Sequence, residues 1–391
     1  MTSPEVLAPR LPWDADNPYP FYEARRRDGE VVWDDTAQAW LVLGYQAARQ
    51  VLGGPQWTSD PYANPLARAA MDPISQEFSR RSMLLSDGAI HQRLRRSVRD
   101  VFTRSFVAGL TNGVESITSA VIDQAPAGTP FDFMSQIALP IPVGVIAEWL
   151  GLPVQTADLL RELSPVIIRM LGTLADTDDV RAGTAASAEL MAEFLPLAAD
   201  RRVRPRDDLL SFIAADRALE LEDVVTTAIL IAVAGHETTA NLLGNTLIRL
   251  LTPDGMNVAA DIDPADPAVI TELLRLDGPV QAALRTATED TAVGDVVATA
   301  GSTALVVVAA ANRDPAAFNE PDEFRLGRST PAHLTFGYGA HHCLGASLAR
   351  LEITAALRKI LARQPALAGA PLWRDTPAIR GPQTLPITFC R

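Results

Sequence analysis

Between residues 221 and 250 apolar positions recur at helical spacing on several faces, LEDVVTTAILIAVAGHETTANLLGNTLIRL. The pattern predicts a helix roughly 45 Å long at about 1.5 Å per residue. A stretch apolar on several sides belongs in the middle of a large helical protein rather than on its surface. Shorter helical patterns lie at 20–27, 89–106 and 267–276, and a last long one covers Ala346–Ala362. Between 109 and 250 further helical segments are interrupted at Pro126, Pro130, Pro140, Pro142, Pro153, Pro165, Pro196 and Pro205, read as punctuation between helices.

Strand-like alternation is sparse. The segment VVWDDTAQAWLVLGY alternates around polar turn residues and predicts a small antiparallel sheet from 29–33 and 40–43. Strand-like pieces recur between 280 and 308, and TLPITF near the C-terminus reads as a strand. Residues 57–86 have no long clean period and read as loop with short helix, a segment type that often lines binding sites. Residues 312–345 form a meander rich in proline and glycine. No repeated βα pattern occurs, which argues against a doubly wound sheet. The expected fold is mainly α with a minor β component.

Composition narrows the function classes. The chain has 391 residues, is 48% hydrophobic and carries a formal net charge of -13, so an extended nucleic-acid or anionic-membrane surface is disfavoured. All but one of the 34 basic residues are arginine, Lys359 being the exception. The N-terminus MTSPEVLAPRLPWDADNPYP has acids and prolines where a signal peptide needs a basic start and an apolar core. The most apolar stretches, 224–235 and 304–311, are far short of a membrane span, so a cytoplasmic protein is expected. Two cysteines, Cys343 and Cys390, make a disulfide improbable in such a compartment.

Cys343 is the informative one. In FGYGAHHCLGASLAR, Gly337, Gly339 and Gly345 surround a cysteine immediately before a helix. The glycines permit a tight turn and close approach of a planar ligand, and amides at a helix start favour thiolate over thiol. A structural cysteine is the plain alternative. Zinc is disfavoured, because adjacent His341, His342 and Cys343 cannot supply well-directed tetrahedral ligands and no second Cys/His cluster completes a site.

The segment Phe336, Gly337, Gly339, His341, Cys343, Gly345 resembles the haem-binding signature of the cytochrome P450 superfamily in its bacterial soluble form. The resemblance covers nearly the whole chain and implies one catalytic domain, 1–391, with an N-terminal β-containing portion and a larger helical portion. In the implied fold the haem lies between the long central helix and the helix after the cysteine loop. Cys343 then ligates the iron of haem b, where a thiolate donates electron density that favours oxygen–oxygen cleavage.

Within the long helix run Ala234, Gly235, His236, Glu237, Thr238 and Thr239, and the glycine and the consecutive β-branched threonines are poor mid-helix choices, which predicts a local departure from the hydrogen-bond ladder. The resemblance assigns an acid–alcohol pair to Glu237 and Thr238: the hydroxyl hydrogen-bonds the activated O2, and the acid delivers protons from solvent. Ala240 stands where a HExxH zinc motif needs histidine, which excludes that hydrolase reading. His236 is expected to point away from the pocket.

The remaining assignments follow from the same resemblance. Glu272 and Arg275, three apart on a helix, match its buried Glu-x-x-Arg element, with Arg328 as third member, and are expected to be structural. His91, Arg95, Arg285 and His341 match positions that bind the haem propionates. Arg96 and Arg99, with Arg93 and Arg104, form a basic patch suited to an acidic ferredoxin or flavodoxin-like donor, itself fed by an NAD(P)H-dependent reductase. Substrate contacts map to residues 62–85, to Leu230, Val233 and Ala234, to Val280 and Gln281 within 280–283, and to Thr384 within 383–385. Their apolar character implies a lipophilic small molecule. GDVVATAGST, 294–303, departs from the family wording and is expected to loosen a small turn.

The implied reaction is monooxygenation, by hydroxylation or epoxidation. A non-insertion oxidation such as desaturation or radical coupling, and a haem-based sensor or binding protein, stay open at the level of sequence.

Overall fold

A computed structural model describes residues 10–390 apart from 71–75, 77–78, 173, 175–176, 253–261 and 330–331. Its axis is the helix Leu221–Leu251. Glu220 caps it through a reciprocal arrangement with Asp223, and acids in the first turn complement the helix dipole. Nearly every face is buried, as the apolar pattern predicts.

The long helix threads two cores. Val224, Val225, Ala228, Ile229, Ala232 and Val233 pack into one, together with Leu160, Ile167, Leu190 and Phe194. Ala240, Leu243, Leu247 and Leu250 pack into another with Phe133, Ile353, Leu357 and Phe389. The polar stretch 234–239 falls between them and belongs to neither. That interval is where the interior opens.

Two predicted interruptions do not occur. Helices Val154–Leu171 and Thr177–Val203 run through Pro165 and Pro196. An interior proline costs about 3 kcal/mol or more, but these two helices pack along each other and against the long helix. Tertiary burial outweighs the lost hydrogen bond. Conversely, the arginine-rich segment is not one helix: Gly88–Arg99 is followed by a 3₁₀ turn, Asp100–Phe102, and a separate helix, Arg104–Ala108, which Thr103 caps by accepting from Phe106 N–H.

The N-terminal strands do form a hairpin, Val31–Asp34 with Ala39–Val42, in register Trp33 to Trp40. The sheet is larger and mixed, however. Ala39–Val42 pairs parallel with Thr303–Val306, which pairs antiparallel with Ala283–Ala287, and that strand pairs with Trp57–Thr58. Partners as distant as Trp40 and Ala304, 264 residues apart, are invisible to local alternation. This sheet fixes Arg285 opposite Ala304. The turn at 294–303 is not loosened: Thr291–Val293 pairs with Val296–Ala298, and Ala300 N–H donates to Asp290 at 2.8 Å.

TLPITF divides between two sheets. Pro382–Thr384 pairs with Leu372–Trp373, while Pro386–Phe389 pairs with Phe131–Asp132 and Pro365–Leu367. Within 57–86, residues 71–75 and 77–78 lie outside the described residues. Among the described residues no helix is long and apolar enough to cross a membrane.

Candidate active site

Gly337 and Gly339 both adopt the left-handed conformation, with φ of 73° and 77°. At Gly339 a Cβ would lie 3.0 Å from the Leu52 carbonyl oxygen and the Gly53 Cα, so the loop presses directly on helix Tyr45–Gly53. The loop closes on itself: Cys343 N–H donates to the Phe336 carbonyl at 2.7 Å. Helix Ala346–Ala362 starts three residues later and packs against the long helix.

Cys343 is exposed, yet protein surrounds its thiol on most sides. Burial raises its pKa, opposed by the backbone N–H groups of Gly345 and Ala346 and by the charge of Arg95. Three donors of positive potential aimed at one sulfur suit a thiolate held by a metal.

Beside the thiol, Arg95, His91, Arg285 and His341 converge from helix Gly88–Arg99, the mixed sheet and the cysteine loop. The His91 and His341 rings have centroids 4.2 Å apart. Buried His91 is lowered to about 4, first by burial and then by the charges of His341 and Arg95. Its Nε2 has no hydrogen-bond partner among the described residues. Arg285, also buried, donates to the Leu284 carbonyl at 2.7 Å, and Arg95 to the His342 carbonyl at 2.7 Å.

Asp87, absent from the sequence expectations, is the acid of this cluster. It accepts from His341 at 2.8 Å, from the Thr58 hydroxyl at 2.6 Å and from Ser59 N–H at 2.7 Å. Burial pushes its carboxyl up, but these bonds outweigh burial and hold it below the usual range. One carboxylate among four basic groups leaves an excess of buried donors. That donor set fits a planar ligand bearing two carboxylates, and the adjacent thiol fits its metal.

The long helix is unbroken where a departure was expected. Thr238 and Thr239 hydroxyls donate to the carbonyls of Ala234 and Gly235 at 2.7 and 2.8 Å, which accommodates the polar stretch without a bulge. Ala234 is exposed although it sits at mid-helix, and Thr238, one turn on, is half-buried. Both mark the open side. His236 is fully buried, its Nδ1 2.8 Å from the Ala232 carbonyl.

Glu237 and Thr238 do not share a direction. Glu237 is 1% exposed and accepts from Arg374 at 2.9 Å, turned away from the side on which Ala234 and Thr238 open. Arg374 follows the strand Leu372–Trp373, and no local feature of the sequence could have paired residues this far apart.

Of the predicted substrate contacts, Leu230 and Val233 line a small apolar recess with Ser82, Ile167, Leu171, Thr226 and Ile229. Val280 bridges to Ile379 and is half-buried, as is Thr384. The Gln281 amide is buried and taken up by the Tyr22 hydroxyl at 3.2 Å and the carbonyls of Gly278 and Pro279, so it braces a corner. Glu272 receives Arg275 through two bonds of 2.8 and 2.7 Å and Arg328 through one of 2.8 Å. Arg96 and Arg99 are exposed on the outer side of helix Gly88–Arg99.

The cysteine loop and the basic cluster of Arg95, His91, Arg285 and His341 are brought together, and the helix after the loop packs against the long helix, an arrangement that fits a thiolate-ligated haem. The family model described as Cytochrome P450 matches residues 266–364. Cytochrome P450 monooxygenase PikC of Streptomyces venezuelae is 35% identical over 96% of this chain and 92% of that protein. Vitamin D(3) 25-hydroxylase of Pseudonocardia autotrophica is 33% identical over 95% of this chain and 94% of that protein. Among solved structures, P450BioI in complex with an acyl carrier protein ligated to hexadec-9Z-enoic acid superposes with a TM-score of 0.87 at 28% identity, over 95% of this chain and 98% of that one. The chain belongs to the cytochrome P450 family and is an oxidoreductase of that type, with haem as the cofactor the family implies.

Proposed function

We propose that the chain is a single catalytic domain that binds haem b through Cys343 and inserts one oxygen atom of O2 into a lipophilic small molecule by hydroxylation or epoxidation. Two electrons come from a ferredoxin or flavodoxin-like donor with its NAD(P)H-dependent reductase, in the cytoplasm. The observation that carries this reading is the Cys343 thiol, faced by the Gly345 and Ala346 N–H groups and by Arg95, in the loop before a helix that packs against the long helix.

When bound, the thiolate-ligated haem supplies reductive activation of O2. The chain does the rest. Arg95 and Arg285 would neutralise the propionates, and His91 and His341 would hydrogen-bond them. The Thr238 hydroxyl, spent as a donor on Ala234, keeps its lone pairs on the open side, where they accept from water or ligand. Leu230 and Val233 supply apolar side chains suited to an apolar substrate. The family's relatives that act as hydroxylases support oxygen insertion over desaturation.

The test is a spectrally monitored screen of the purified holoprotein against lipophilic compounds, followed by turnover under isotope-labelled O2. The expected result is a substrate-linked change of iron spin state and a product carrying the label. An unlabelled oxidised product would replace insertion with desaturation or coupling. Cys343→Ala is expected to lose the red-shifted ferrous–carbon monoxide band of a thiolate ligand; its retention would sink the ligand assignment.

A further inference from the structure

The segment ahead of the first helix, Tyr19–Asp28, is strapped to the C-terminal loop 373–381. Trp13 Nε1 donates to the Pro377 carbonyl at 2.9 Å, across 364 residues of chain. Arg380 reaches the other way and donates through Nε and Nη2 to the Asp16 carbonyl at 3.2 and 2.8 Å. Its guanidinium lies 3.9 Å from the centroid of the Trp373 ring and 5.4 Å from that of Tyr19. A flat cation stacked on an aromatic face while its N–H groups grip a carbonyl is a fit that lysine does not reproduce. Trp13 is 4% exposed and packs edge-on against Tyr22, ring centroids 5.2 Å apart. The strap is therefore built into the fold.

The strapped loop is paired to the segment that holds Val280. Arg380 N–H donates to the Pro279 carbonyl at 2.7 Å and Gln281 N–H to the Ala378 carbonyl at 2.9 Å, which bridges Val280 to Ile379. Thr376 closes the turn before the bridge. Its carbonyl accepts from Ile379 N–H at 3.1 Å, and its hydroxyl donates to the Ile379 carbonyl at 3.1 Å. Tyr22, on the helix that follows the strap, holds Gln281 at 3.2 Å. Ile379 itself is half-buried and packs on the same core as Leu230 and Leu344, the neighbour of Cys343. Its backbone is pinned from one side by 279–281, and the turn beside it from the other by Trp13 and Asp16.

We infer that the N-terminal strap is a specificity element, in which Trp13 and Arg380 are positioning residues that fix where the Ile379 side chain stands against the substrate. The inference rests on the haem-thiolate monooxygenase reading. Neither residue takes part in bond-making. Loss of either contact frees the outer side of the turn 376–379, while the bonds from Arg380 N–H to Pro279 and from Asn245 to the Arg380 carbonyl keep the loop in place. Ile379 then gains freedom to turn without the fold coming apart. A shifted side chain in an apolar pocket alters the fit of a bulky ligand and leaves that of a small one alone.

The experiment titrates the ferric holoprotein with imidazole and with 4-phenylimidazole, each followed by the absorption change on binding to iron. Imidazole needs only the iron, whereas its phenyl derivative also needs room beside it. Arg380→Ala removes both the stack and the grip on Asp16, Arg380→Lys keeps the charge without the stack, and Trp13→Phe keeps the ring without the donor. The ratio of the two Kd values is expected to change by about fivefold or more in Arg380→Ala and by less in the other two, with imidazole alone binding as in the unsubstituted protein. In an Ile379→Ala background the Arg380 substitution is expected to add nothing.

A ratio that is unchanged in all three variants, or that shifts as far with Ile379→Ala as without it, would overturn the inference while leaving the haem-thiolate reading intact. Should the unsubstituted protein exclude 4-phenylimidazole, gain of binding in Arg380→Ala supports the inference and continued exclusion sinks it. If Arg380→Ala does not fold, Arg380→Lys and Trp13→Phe carry the same comparison. Failure of the parent reading is seen separately, in the carbon monoxide spectrum of the unsubstituted protein.

Discussion

His91 and His341 come from segments 250 residues apart, yet their rings lie 4.2 Å from centroid to centroid at an interplanar angle of 34°. Two imidazoles that close, with Arg95 and Arg285 nearby, form a site that resists positive charge and favours added carboxylates. Replacing Arg285 by alanine removes the most deeply buried cation of the cluster. Haem loss to an apomyoglobin acceptor is expected to accelerate by an order of magnitude or more, against little change for a surface control such as Arg161→Ala. Equal rates would place the propionates elsewhere.

The Glu272 network makes a pH-dependent contribution to stability. Burial raises the Glu272 carboxyl, but the bonds from Arg275, from Arg325 N–H and from Arg328 outweigh it, so the net direction is downward. A depressed carboxyl pKa contributes stability that is present above the unfolded value and lost as pH falls through the folded one. Glu272→Ala leaves Arg275 buried without its counter-charge and is expected to cost roughly 3–5 kcal/mol at neutral pH. Urea unfolding at neutral and acidic pH checks both claims: the gap between parent and variant should shrink in acid.

Glu352 works in the opposite sense. It lies fully buried on helix Ala346–Ala362 in the stripe Leu348, Glu352, Ala356, and burial alone raises its pKa to about 8. Its Oε2 has no hydrogen-bond partner among the described residues. With the folded value above the unfolded one, the acid contributes nothing adverse at low pH. Its cost then grows as pH rises from the unfolded value towards 8, on the order of 5 kcal/mol in all. Glu352→Gln is expected to flatten the alkaline fall in stability, measured by denaturant titration between mildly acidic and mildly alkaline buffer. An unchanged slope would show that the carboxyl finds a partner.

These residues also show how far the sequence could be read. The long helix, the cysteine loop and Glu272 with Arg275 are local patterns, and the structure places them within a residue or two of expectation. Arg374, Asp87 and the parallel pairing of Ala39–Val42 with Thr303–Val306 were not, because each is created by contacts between distant segments. The interior prolines misled for a related reason. Pro165 and Pro196 obey local rules only where no neighbouring helix compensates for the missing hydrogen bond.

The exposed arginines on helix Gly88–Arg99 bear on electron delivery. Arg96 and Arg99 point outward while His91 and Arg95, on the same helix, face the site, so one element connects the surface to the haem cluster. Arg99 has a single exposed partner, Asp100 at 3.2 Å, a pair that contributes little in water. Their charge is therefore available to an acidic donor despite the net charge of -13. Electrostatic steering is screened within about 10 Å at 0.1 M salt, so its loss is read best at low ionic strength. Reversing both residues to glutamate should slow the bimolecular reduction by an acidic ferredoxin at least tenfold in dilute buffer and flatten its dependence on salt. Substrate binding and the carbon monoxide spectrum should not move. If stopped-flow reduction by the donor keeps its rate and salt slope in the double reversal, the donor docks on another face.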